Sequence, residues 1–117
     1  MASTVEVDMR MCGRKAKVTV SARDDGDLDV EMESDCEVVM GYASRLRTVS
    51  PEDVYGFQDS KINRDDIRGQ LTPTCLVPNA VYSAAFLELG MATESLARKC
   101  GKNSVEYVFP RNEDENI

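Results

Sequence analysis

The sequence predicts an α+β fold, a small antiparallel sheet of three to four strands with helices packed on one face. Three observations support this prediction. The first third of the chain alternates apolar and polar residues with the period of strands. A turn signal at residues 24–26 divides that alternation into a hairpin. Behind helix-start signals, the middle of the chain repeats apolar residues at three- and four-residue steps, as amphipathic helices do.

Length and charge limit the classes of protein that remain. A chain of 117 residues suits one domain, which we expect over residues 1–110, with the polar residues 111–117 as a disordered tail. The net charge of −7 argues against a nucleic-acid partner, which would need a clustered basic face. There is neither a signal-peptide pattern nor an apolar run near the ~20 residues of a membrane span. We therefore expect a cytoplasmic protein without a membrane partner.

Four stretches alternate as strands do. Residues 5–11 predict the first strand, which ends at a Cys-Gly pair, and residues 104–109 predict the last. Between them, residues 15–22 and 28–33 predict a hairpin with one wet face. If the hairpin turn is centred on Asp25, Lys17 lies opposite Glu33. Their opposite charges then favour the pairing of the two strands.

The hairpin leads directly into a helix-start signal. Ser34 followed three residues later by Glu37 matches a capping box, in which each side chain accepts the other residue's backbone N–H. With Ser34 as N-cap, Cys36 falls at the second helical position. There the unpaired amides and the helix dipole favour a thiolate, which makes Cys36 the first candidate for chemistry.

Three further helices are predicted after the first one. Their limits, set by capping residues, prolines and glycines, are Ser50-Pro51 to about residue 57, Pro78 to Gly90, and Thr93 to Gly101. Residues 58–68 have no strong period and form either a surface loop or a one- to two-turn helix around residues 65–71.

The cysteines carry most of the chemical information. Without export the four thiols lie in a reducing compartment, so free, metal-binding or redox-active thiols are favoured over two disulfides. There is no CxxC pair and no histidine, which excludes zinc fingers by spacing and imidazole catalysis by composition. No phosphate loop or general acid/base pair is present either. The sequence therefore favours a role other than that of an enzyme.

Hairpin geometry brings two of the cysteines together. Cys12 precedes the first hairpin strand and Cys36 follows the second, which predicts a separation of about 5–10 Å. Cys75 precedes another helix start, whereas Cys100 ends a helix, where the dipole disfavours a thiolate. Three thiolates leave a tetrahedral metal site one ligand short. The alternatives for the fourth position are the nearby carboxylates of Asp35 or Glu37, water, or a partner residue.

This order of motifs resembles the NifU/IscU-type iron–sulfur scaffold proteins. The resemblance is carried by Cys12 in a Cys-Gly pair, Cys36 at a helix start, and Thr74-Cys75 before an alanine-rich helix. It implies an IscU-like fold in which the three cysteines bind an iron–sulfur cluster or zinc, or accept sulfur. Arg14 stands where that family has an acidic residue, and Thr74 where it has a histidine.

Two other families share parts of the pattern. The first half also resembles the small cysteine-containing domain at the end of some B12-dependent ribonucleotide reductases. The whole chain is most similar to a small uncharacterised archaeal and bacterial family with Cys-Gly, Ser-Asp-Cys-Glu and Thr-Cys-x-x-Pro motifs. That last resemblance implies no function.

Three functional hypotheses follow from the sequence. The first is a metal- or iron–sulfur-binding accessory protein that uses Cys12, Cys36 and Cys75 as ligands, with Asp35 as a further metal ligand, and that works with a protein partner. The second is a small interaction or ligand-binding module with structural cysteines and no cofactor. The third is thiol chemistry at Cys36 as a redox or sulfur-accepting nucleophile. The sequence leaves the ligand, the partner and the oligomeric state open.

Overall fold

The structure is a computed structural model that describes residues 2–110. Within that range the chain forms four strands and five helices. In chain order these are β1 (Ala2–Met9), β2 (Arg14–Ala22), β3 (Leu28–Ser34), α1 (Glu37–Arg45), β4 (Thr48–Val49), α2 (Pro51–Tyr55), α3 (Asp65–Arg68), α4 (Val77–Glu88) and α5 (Glu94–Cys100). None of these helices is long and apolar enough to cross a membrane.

The four strands form one antiparallel sheet in the order β1-β2-β3-β4, which confirms the α+β class. Lys17 lies opposite Glu33 in the β2–β3 ladder, as the hairpin turn predicted. The strand β4 was not predicted, because two residues are too few to show a period. It extends the sheet by pairing with Leu28 and Asp29 at the start of β3.

The core lies between one face of the sheet and the helices. The inward-facing residues of β2 and β3 are buried, and Val18, Val20 and Leu28 are completely enclosed. Helix α4 packs across β1 and β2, while α1 packs on β3. Such burial stabilises the fold by about 1.5–3 kcal/mol for each large aliphatic side chain. The opposite face carries the charged residues of the alternation.

Buried polar contacts tie α1 to the segment that follows α2. The hydroxyl of Tyr42, on the buried face of α1, donates a hydrogen bond of 2.8 Å to the backbone oxygen of Ile62. Burial raises the pKa of the Tyr42 hydroxyl well above its ordinary value, which keeps the donor protonated. Arg45 Nε donates to the backbone oxygen of Ile67 at 2.8 Å. The irregular segment around α3 is therefore held against the core.

The predicted capping box at the start of α1 is wrong. The helix begins at Glu37 with Cys36 as its N-cap, so Cys36 lies outside the first turn. Ser34 remains in the sheet, paired with Ala16. Its hydroxyl donates to the backbone oxygen of Lys15 at 2.7 Å and accepts the N–H of Cys36 at 3.1 Å. Because β3 continues through Ser34, that residue cannot cap the helix.

The predicted strand over residues 104–109 is also absent. Those residues have no regular structure, and all of them are exposed. Alternation gives a segment an apolar face, but a strand also needs a neighbour for its backbone hydrogen bonds. The first strand ends at Met9, earlier than predicted, and leaves Met11 exposed. The tail expected over residues 111–117 lies outside the described residues.

Candidate thiol site at the end of the sheet

Met9 is the residue around which the candidate site is built. It is the last residue of β1 and only 9% exposed. The Cys12 thiol, in the turn after β1, lies 3.6 Å from the backbone oxygen of Met9. Cys75 Sγ lies 3.9 Å from Met9 Sδ. Two cysteines from distant parts of the sequence therefore contact the same methionine.

Cys36 reaches the same end of the sheet from β3. The strand pairs Ser34 with Ala16 near the start of β2, and β2 in turn begins opposite Met9. As N-cap of α1, Cys36 is half-buried and packs against the core. Charge on Cys36 is the smallest of the effects that raise the pKa of Cys75.

The surroundings of Cys75 favour the protonated thiol. Burial raises the pKa of Cys75 above its ordinary value, and charge on Cys12 and Cys36 raises it further. The N–H of Val77, at the start of α4, and the charge of Arg68 lower that pKa, but they do not outweigh burial. A neutral Cys75 suits a half-buried position beside the apolar Met9.

Asp35 has a cationic neighbour. Its carboxylate lies 3.6 Å from Arg14 Nη1, and the same guanidinium donates to the backbone oxygen of Asp35 at 3.1 Å. Arg14 therefore holds the connection between β3 and α1 in place. Cys100, by contrast, ends α5, which buries none of its residues.

The three thiols share a neighbourhood without forming a closed ligand set. Within residues 2–110, no three cysteine and carboxylate side chains are arranged closely enough to hold a metal ion. All three cysteines are free thiols, and Cys12 is exposed. It lies in the turn between β1 and β2, where Gly13 adopts a positive φ of 72°. Metal binding would require the Cys12 thiol to give up its contact with the Met9 backbone oxygen.

Met9 is the member of this cluster that the sequence analysis did not single out. The alternation of β1 marked it as a core residue, which is correct. Its thioether also provides a further sulfur, beside the thiol of Cys75. Two ligands of a tetrahedral metal with bonds of ~2.3 Å to sulfur lie ~3.8 Å apart. The separation of 3.9 Å between Cys75 Sγ and Met9 Sδ is compatible with that spacing.

Comparison with known proteins gives one match. The model of a family of unknown function, DUF6951, matches residues 3–100. The chain belongs to this family. The DUF6951 match spans the sheet, the thiol cluster and all five helices, and it stops before residues 101–110. No curated protein and no solved protein structure matches the chain. The resemblance to NifU/IscU-type scaffolds stays a prediction.

Proposed function

We propose that this protein is an intracellular accessory protein that binds zinc or an iron–sulfur cluster through Cys12, Cys36 and Cys75. One observation carries the proposal. Cys12 and Cys75, far apart in the sequence, both contact Met9, and Cys36 follows β3 at the same end of the sheet. Cys12 is exposed, so packing as a small apolar residue does not explain its place beside Met9.

The donor chemistry fits a thiophilic metal. Thiolates are the preferred protein ligands of zinc and of iron–sulfur clusters. Because Cys75 is held as a thiol, metal binding would release its proton, and the affinity would rise with pH. The fourth position would be open to Met9, to Asp35, to water or to a ligand from a protein partner. An open position suits transfer to a partner better than a permanent structural role.

Zinc titration of the anaerobically purified full chain tests this proposal. We expect about one zinc per chain, with three thiols protected from alkylation and Cys100 still reactive. Replacing Cys12, Cys36 or Cys75 with serine should abolish tight binding, and Cys100→Ser is the matched control that should retain it. Reconstitution with iron and sulfide, followed by absorption spectroscopy, distinguishes a cluster from zinc. Failure to bind either metal, with all four thiols reactive, would refute the proposal.

A second function is an interaction module whose cysteines are structural. It is favoured by the half-buried packing of Cys36 and Cys75 against the core and by the lack of a closed ligand set within residues 2–110. Cys12 distinguishes the two functions because it is exposed. If the cysteines are structural, Cys12→Ser changes neither stability nor any binding activity. If they hold a metal, the same substitution removes the metal without unfolding the apoprotein.

A further inference from the structure

The residues after the last helix form an exposed apolar segment, which we call the C-terminal arm (residues 101–110). Four of its large apolar side chains are far more exposed than such residues usually are, namely Val105 at 75%, Tyr107 at 63%, Val108 at 85% and Phe109 at 75%. They fall within five consecutive positions. A contiguous exposed group of this kind marks an interaction surface.

The arm leaves the body of the protein. Every residue from 93 to 110 is exposed, so neither α5 nor the arm packs on the core. A compact chain of this length has a radius of gyration of about 13 Å. The observed value is 15.9 Å, and the longest dimension is 60 Å. The family match ends at residue 100, so the matched body has its sheet and core without the arm.

The body in turn offers an incomplete sheet edge. β1 is an edge strand of eight residues, and its outer side has no strand partner within residues 2–110. Val5 and Val7 are only partly buried, whereas Val18, which pairs with Val5 on β2, is completely buried. A long unpaired edge is a template for a further strand, which would also cover these two valines.

We propose that residues 104–109 of a second copy of this chain pair with the β1 edge, and that the exchange is reciprocal. The segment has strand periodicity and is rich in β-branched and aromatic residues. Val105, Tyr107 and Phe109 would share the apolar face with Val5 and Val7. Pro110 would end the pairing, because it has no N–H to donate.

A second copy is the occupant that the geometry favours. In this conformation the arm does not pack on its own body, so we assign the covering of its apolar side chains to another molecule. Each copy has one arm and one free edge. In a closed two-fold dimer, the arm of each copy can therefore pair with the β1 edge of the other, and no arm or β1 edge is left unpaired. Glu106 of the arm would lie on the polar face with Glu6 and Asp8 of β1, which Lys17 and Lys15 of β2 already face.

Sedimentation velocity of the full chain from ~1 to ~100 µM tests the proposal. We expect a dimer whose dissociation constant rises roughly tenfold or more in Tyr107→Asp and in Phe109→Asp. Val108→Ser is the control, because Val108 lies on the opposite, polar face of the paired strand, and this variant should keep the dimer. All three side chains are exposed in a single copy, so unchanged circular dichroism and thermal midpoints verify that the variants fold.

Amide hydrogen exchange locates the interface. In the dimer the outward-facing amides of β1 should exchange slowly, and in Tyr107→Asp they should exchange fast. A monomer at all concentrations overturns the proposal, whether its β1 amides are protected by its own arm or fully open. A dimer that Tyr107→Asp and Phe109→Asp leave intact overturns it as well. Neither readout depends on metal binding at the thiol cluster.

Discussion

Two segments of this chain share one sequence pattern and adopt different structures. Ser34 and Glu37 at the start of α1, like Ser50 and Asp53 at the start of α2, are a serine followed three residues later by an acid. Only the second pair forms a capping box. Ser50 Oγ accepts the N–H of Asp53 at 3.3 Å, and the carboxylate of Asp53 accepts the N–H of Ser50 at 3.0 Å.

The neighbouring backbone explains the difference. Ser34 is the last paired residue of β3, so its hydroxyl is engaged by Lys15 and Cys36 before the helix begins. Ser50 follows a strand of two residues and precedes Pro51, whose fixed φ suits the first helical position. A capping sequence therefore forms a capping box only where its serine is no longer paired in the sheet.

Removal of the carboxylate should give the largest difference in stability between the two helix starts. Asp53 accepts hydrogen bonds from Ser50 N, Ser50 Oγ and Lys61 N, at 3.0, 3.1 and 3.0 Å. We expect Asp53→Ala to lower the free energy of unfolding by about 2–3 kcal/mol, because it removes the capping box and leaves partly buried donors unpaired. Glu37→Ala should cost under about 0.5 kcal/mol, the scale of an exposed dipole interaction. Urea unfolding of both variants measures this, and equal losses would contradict the difference.

The two serines should differ less. Ser50→Ala removes a true N-cap and should cost about 1 kcal/mol. Ser34→Ala removes an exposed hydrogen bond to Lys15 O and a partly buried one from Cys36 N, and should cost about 0.5–1 kcal/mol. Chemical denaturation again gives the comparison. If Ser34→Ala proved the more damaging change, the sheet contact rather than the cap would be the stronger of the two.

The smallest expected difference between the two helix starts is in how stability depends on pH. Burial alone would raise the pKa of the Asp53 carboxyl, but hydrogen bonds from Ser50 and Lys61 and the charge of Lys61 outweigh it, so the pKa is lowered. The stabilisation is thus fully present above the ordinary carboxyl pKa of about 4, and it is lost as pH falls through the lower folded value. Asp53→Asn should flatten the decline of stability below pH ~4, and Glu37→Gln should not. Thermal melts recorded from below pH ~4 up to neutral pH test this expectation. Parallel curves of stability against pH for Asp53→Asn and the wild type would contradict it.

Local signals explain what the sequence could predict about the candidate site. The hairpin follows from period and turn chemistry, so it placed Cys12 and Cys36 at one end of the sheet. The start of α4 follows from Pro78, and that placed Cys75 just ahead of a helix. No local pattern in the sequence predicted that this helix packs across β1 and β2. That packing brings Cys75 to Met9.

The sequence by itself determined the α+β class, the β2–β3 register and the main helices, because periodicity, turns and caps act over a few residues. Tertiary structure decided three other features. The continuation of β3 made Cys36 the N-cap, the packing of α4 brought Cys75 to Met9, and the lack of a strand partner within residues 2–110 left residues 104–109 irregular. Each depends on backbone pairing or packing between segments distant in sequence, which no local pattern specifies.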